Sequence, residues 1–262
     1  MDFAYFCSLK PEIVTNIIKT NMAEITWESV LHHALEMPGV KVDREKYLKE
    51  VFNGYGDTDD LAAKTPIDIF QPATVNEVAN DAISKHTLQV TALSTAAGIP
   101  GGLAMVGTIP ADLAQYFWHV LVLAQKLAYI HGWGDLLSEN HELDEGAQSV
   151  LTVFIGVALG IDGANKVIRE LAANSAKNYG MTCAAVIVAK TTAAPAIRQI
   201  AKYVTGKLVH KSMANMFGKF IPLIGGLISG SVTYVSFRPM AKRLNRELTI
   251  IEYQRIKEKK AE

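Results

Sequence analysis

The sequence predicts an all-α fold: a single compact multi-helix bundle whose central hydrophobic helices are broken by glycine and proline. Three observations lead there. Nearly every hydrophobic segment repeats with the 3.6-residue period of a helix, and none alternates convincingly as a half-buried strand would. Hydrophobic residues make up 49% of the 262 residues and charged residues only 20%, so there is material for a sizeable interior. The third observation is the stretch from Thr87 to Ala111, which carries no charged side chain and is interrupted by Gly98, Pro100, Gly101, Gly102 and Pro110. A run of this kind is buried among other helices or placed in lipid.

Taken in order, Pro11 to Lys19 reads as a short helix with Ile13, Val14, Ile17 and Ile18 on one side. It belongs to an N-terminal helical arm, residues 1–24, outside the main helical domain, residues 25–262. Thr26 is the expected N-cap of TWESVLHHALEM, which Pro38-Gly39 stops, and Asp43 that of REKYLKEVF, which Asn53-Gly54 ends. Residues 54–73 read as irregular. Thr74 and Glu77 have the spacing of a capping box, followed by an apolar face of Val75, Val78, Ala79, Ala82 and Ile83. Pro110 suits the first turn of the next helix, which continues to about Ile130 and is closed by Gly132. Asp144 opens a helix through Leu159, and Asp162 is placed to cap the one through Asn178. Met181 to Val204 should kink at Pro195, with Lys207 to Met216 following, and Pro239 should bend or restart the last helix.

The net charge of zero conceals an asymmetry. Residues 1–85 hold 14 acids and 8 bases, whereas Leu171 to Arg246 hold eleven lysines and arginines and no Asp or Glu. Such a stretch either meets an anionic partner or faces the acidic front half within the fold. Cys7 and Cys183 match no metal-ligand spacing, so they read as small apolar residues of a reducing compartment. The N-terminus lacks a signal-peptide pattern. The expectation is a cytoplasmic location, peripheral to the inner face of the cell membrane.

Ala97-Gly98-Ile99-Pro100-Gly101-Gly102 followed by Thr108-Ile109-Pro110-Ala111-Asp112-Leu113-Ala114-Gln115 resembles the core motif of the EcsC family. Pro38 to Glu45 (PGVKVDRE) and Ile221 to Gly226 (IPLIGG) are also similar to that family's pattern, so the resemblance covers most of the chain from about Thr26 to Arg246. It implies a bacterial helical protein, linked by the family's name to an ABC transporter, and brings no catalytic residues with it.

On a helical wheel, Asp112, Gln115, Tyr116, His119 and Lys126 share one side of the helix after Pro110, opposite Phe117, Leu121, Ala124 and Ala128. They form either a solvent-facing stripe or a buried polar seam, in which Asp112 must be paired, with His119, Lys126, or Lys166 or Arg169 of a neighbouring helix. His141-Glu142-Leu143-Asp144-Glu145 begins like a zincin helix but has Glu where the second His must stand. Nucleophile-elbow, Walker and dinucleotide-binding patterns are missing, so no cofactor, metal or catalytic residue is assigned. Gly156/Gly160 and Gly226/Gly230 are Gly-x-x-x-Gly pairs that let helices approach closely. Phe220 to Phe237 is an uncharged run of spanning length, but it contains Pro222, three glycines and polar residues.

The leading expectation is a non-enzymatic, membrane-associated helical protein that binds anionic lipid, or a membrane-protein partner such as a transporter, through its basic C-terminal half. Lys207, Lys211, Lys219, Lys242, Arg243 and Arg246 are the candidate headgroup contacts, with Trp118, Phe217 and Phe220 as anchors. Nucleic acid is not the expected partner, because the cations are dispersed among apolar faces without a recognition signature. The alternative is a soluble protein with a lipid or small-molecule pocket around residues 98–119, built on Asp112, Gln115, His119, Lys166 and Arg169 and possessing hydrolytic activity in one version. A protein-recognition module is a third.

Overall fold

Hydroxyl and carboxylate caps start the first helices. In the computed structural model, which describes residues 26–97, 111–137, 145–176, 192–209 and 226–260, Thr26 and Ser29 cap α1 (Trp27–Glu36) reciprocally, each side chain accepting from the other's amide. Asp43 accepts from the Lys46 amide at 2.9 Å and starts α2 (Arg44–Phe52). Both caps fall on the residues the sequence points to. The N-terminal arm lies outside the described residues.

Residues 54–73 are more ordered than their composition suggests. They contain a 3-10 turn (Asp59–Ala62) and a short helix, α3 (Pro66–Ile69), where the Asp68 carboxylate accepts from the amide and hydroxyl of Thr65. The following helix, α4 (Pro72–Ala97), begins at Pro72, so Thr74 sits inside its first turn and does not cap it. Proline is a better starter there, since its missing N–H is one that a helix start leaves unpaired anyway.

The remaining helices are α5 (Ala111–Ile130), α6 (Glu145–Ala158), α7 (Ala164–Ala176), α8 (Ala194–Val209) and α9 (Gly226–Lys259). Gly132 ends α5 with φ +79°, as its position implies. Helix α7 begins two residues after Asp162, beyond Gly163 at φ +83°. Pro195 occupies the first turn of α8 and produces no kink within it, and α9 runs through Pro239 without restarting. The fold is all-helical, with no strand among the described residues.

Helices α5 and α6 form the centre. From Tyr116 to Ile130 every residue except Trp118 and Lys126 is buried, and so is every residue from Val150 to Ala158. A helix apolar all round must be wrapped on all sides. Around α5 lie α1, α2, α4 and α9, while α7, α8 and α9 cover α6. The most extensive pairing is between α4 and α9, which run antiparallel: His86 stacks on Phe237 near one end, and Lys259 reaches Asp68 at the other. One continuous apolar core joins Trp27 of α1 to Ile251 of α9.

Buried polar side chains fix the joints. The indole N–H of Trp27 donates to the Thr152 hydroxyl of α6 at 2.9 Å, and its amide donates to Thr205 of α8 at 2.9 Å. Gln125 donates to the Val40 carbonyl and accepts from the Val42 amide, holding the α1–α2 loop against α5. Arg44 donates to the carbonyls of Trp133 and Leu61, and burial lowers its pKa.

The two glycines of the Gly156/Gly160 pair have different work. Gly156 lets α6 meet α7 and α8: a Cβ there would lie 2.6 Å from Ile200 Cγ2 and 3.2 Å from Ala164 Cβ. Gly160, at φ +66°, terminates α6 against the Arg243 guanidinium. Among the described residues, no helix is long and apolar enough to cross a membrane. Only 226–237 of the Phe220–Phe237 run are described, and that part continues unbroken into the charged remainder of α9. Gly156→Ala should cost about 1–3 kcal/mol and lower the Tm by roughly 3–10 °C. Gly206→Ala, where a Cβ meets nothing within 4 Å on α8, should leave the Tm unchanged or raise it, and thermal melts of the two variants check this.

Candidate functional site

Cations recur every fourth residue along the middle of α9: Arg238, Lys242 and Arg246, with Tyr234 one turn before them. Residues four apart on a helix share a face. Lys242 and Arg246 are exposed and Arg238 is half-buried, and with Tyr234, Val235, Pro239 and part of Arg243 they line an open hollow of about 690 Å³. Val235 is 70% exposed at its edge. Arg238 is held in place by Tyr234, whose hydroxyl accepts from Nη1 and whose ring centre lies 5.4 Å from the guanidinium carbon.

Two of the three acids of α9, Glu247 and Glu252, lie on its inner side, and Glu258 is exposed near its C-terminal end. Glu247, 3% exposed, pairs with Arg169 of α7, and Glu252, 5% exposed, lies 3.2 Å from Nδ1 of His131. The other ring nitrogen of His131 is 2.8 Å from Asn245. With a partner at each ring nitrogen, His131 clamps α9 to the end of α5. Among the described residues, no carboxylate comes within ion-pair distance of Arg238, Lys242 or Arg246, nor of the exposed Arg198 and Lys202 of α8. Among the described residues, the acids of the front half therefore do not pair with these side chains; the ion pair of Asp68 with α9 uses Lys259, beyond the acid-free stretch.

Two of the sequence-derived contacts are committed elsewhere. Arg243 turns inward and donates to the Ala158 carbonyl at the C-terminus of α6, where a cation meets the negative end of the helix dipole. Trp118 is half-buried against the core, 4.5 Å from the His119 ring and beside Gly39, so its position is that of a packing residue and not of a protruding anchor. Lys211, Phe217, Lys219 and Phe220 lie outside the described residues, as does the side chain of Lys207. Tyr234, Val235 and Arg238 were not among the residues singled out as contacts, although the four-residue spacing of Tyr234, Arg238, Lys242 and Arg246 was available as a signal.

The polar side of α5 is largely internal. Tyr116 and His119 are buried, Gln115 and Lys126 are half-buried, and the side chain of Asp112 lies outside the described residues. Lys126 sits over the Tyr47 ring, and burial lowers its pKa. The neighbouring helix does not complete this seam: Lys166 is exposed, and Arg169 is taken by Glu247. In their place α4 contributes His86, which the wheel of α5 alone had no means of showing. Its Nε2–H donates to the His119 carbonyl at 3.0 Å, its ring lies 5.5 Å from that of His119, and Phe237 of α9 stacks at 5.8 Å. Burial is the main cause that pushes His86 down to about 3 and His119 down to about 4, so both are neutral near pH 7.

Chemically, the described interior offers little room. The void where α5, α6 and α9 meet is about 10 Å³ and apolar, and among the described residues no three His, Cys, Asp or Glu side chains converge on a metal position. Residues 98–110 of the turn, and the His141 motif, lie outside the described residues. Comparison with protein-family models, curated proteins and solved structures returns no match.

The paired histidines have a measurable consequence. Their folded pKa values lie below the ordinary 6.5, so the unfolded chain binds more protons between about pH 6.5 and pH 3–4. Stability is fully present above pH 6.5 and is lost as the pH falls through that window. Denaturant titrations should show a loss of up to about 2 kcal/mol per histidine between pH 7 and pH 5. His86→Gln should flatten that slope relative to the native chain.

Proposed function

We propose that this protein is a peripheral, non-enzymatic helical protein that docks onto anionic membrane through the basic outer face of α9. One observation supports this above the others: Arg238, Lys242 and Arg246 line an open hollow with no carboxylate of the described residues beside them, while Glu247 and Glu252 of the same helix are buried against Arg169 and His131. A cation near an anionic bilayer contributes on the order of 1 kcal/mol, so three in a row support weak, reversible binding. Exposed Val235 and Tyr234 add the apolar and interfacial contacts that a headgroup layer accepts.

The resemblance to the EcsC family, with its link to a membrane transporter, agrees with a membrane-proximal role. The alternative pocket reading draws on the buried His119 and Tyr116, and its turn, residues 98–110, lies outside the described residues. Anionic lipid is preferred to nucleic acid because one short row of cations on a single helix carries no groove-reading element.

Flotation with phosphatidylcholine vesicles, with and without phosphatidylglycerol, tests the proposal. The full chain should float only with the anionic vesicles, less so as salt rises. Lys242→Glu with Arg246→Glu should reduce the bound fraction at limiting lipid at least tenfold. A chain that ignores both vesicle types, or that instead retains only a nucleic-acid duplex, would refute it.

A further inference from the structure

We infer that the hollow on α9 selects lipids whose headgroup carries two phosphates joined by a short carbon bridge over lipids with a single phosphate. The inference rests on the membrane-docking proposal and specifies the ligand of the same surface.

Arg238, Lys242 and Arg246 follow one another at four-residue intervals, so each step climbs α9 by about 6 Å and turns by about 40°. The result is a row of cations along one flank of the helix, not a point or a ring. Two phosphates bridged by three carbons are held at a separation comparable to one such step. A row therefore meets them with two successive cations at once, where a single phosphate meets one. The exposed Arg246 guanidinium binds phosphate through paired N–H donors, Arg238 meets one through Nη2 while its Nη1 donates to Tyr234, and Lys242 between them acts as a point charge that either phosphate can share.

Pre-organisation strengthens the case. Arg238 is held by the ring and hydroxyl of Tyr234, so this end of the row is set before a ligand arrives. Val235 and Pro239 line the same hollow and offer apolar surface beside the cations, where the glycerol and upper acyl carbons of a lipid would lie. Single-phosphate lipids diffuse independently, and filling adjacent cations with them requires immobilising each one separately. A bridge presents the second phosphate at high effective concentration once the first is bound.

The test compares phosphatidylcholine vesicles containing cardiolipin, which has two phosphates, with vesicles containing twice the mole fraction of phosphatidylglycerol, so that total charge is matched. Half-maximal flotation of the full chain should need roughly tenfold less lipid in the cardiolipin series. Lys242→Gln combined with Arg246→Gln, both at exposed positions, should abolish that preference with helical content unchanged by circular dichroism. Independently of any variant, soluble glycerol bisphosphate should displace the native chain from vesicles better than twice its concentration of glycerol phosphate. Equal binding to the two charged series would overturn the selectivity and leave membrane docking standing. Binding to neither would overturn both, and a preference that survives in the double variant would overturn its assignment to α9.

Discussion

The constraint on which this structure depends is the burial of α5 on nearly every side. From Tyr116 to Ile130 only Trp118 and Lys126 escape full burial, and a helix of that kind has no stable position except the middle of a bundle. Each other helix is placed by the part of α5, or of its equally buried neighbour α6, that it must cover. Helix α1 supplies Trp27, which stacks edge-on at 5.2 Å against Phe117 and donates to Thr152, so one side chain joins three helices. Close approach then becomes necessary elsewhere, and Gly156 provides it where α6 meets α7 and α8.

Charge is arranged by the same enclosure. A carboxylate cannot enter the apolar interior alone, so the inward acids of α9 are each given a partner: Arg169 for Glu247 and His131 for Glu252. These pairs lock the helix to α7 and to the end of α5. With Glu247 and Glu252 turned inward, the middle of α9 leaves Arg238, Lys242 and Arg246 on its outer side, and Arg243 is drawn in to cap α6. This row of cations is thus a by-product of how the helix is anchored.

The architecture was largely legible in the sequence, because helix starts and stops are local chemistry. Thr26, Asp43 and Gly132 act where their residue types say they should. Errors occurred where two local signals competed. Thr74 and Glu77 have capping-box spacing, yet Pro72 starts the helix earlier. Pro195 reads as a kink but opens α8, and Pro239, which reads as a bend or a restart, is carried through α9 without a restart, where the helix packs against α4, α5 and α6. The candidate surface was only partly legible. Lys242 and Arg246 are exposed, whereas nothing in the spacing of Arg243 distinguishes it from its neighbours until the C-terminus of α6 is brought beside it.

By itself, the sequence determined that the chain is helical, which residues cap and close several of its helices, and that its basic and acidic residues are segregated along the chain. Those properties depend on periodicity, side-chain chemistry within one or two turns, and simple composition. Tertiary structure alone decided that His86 lies against His119 and Phe237, that His131 is clamped between Glu252 and Asn245, and which cations of α9 face outward. Each of these joins residues from different helices, and the rotation of one helix against another is set by how the whole core fills space, a quantity no local pattern contains.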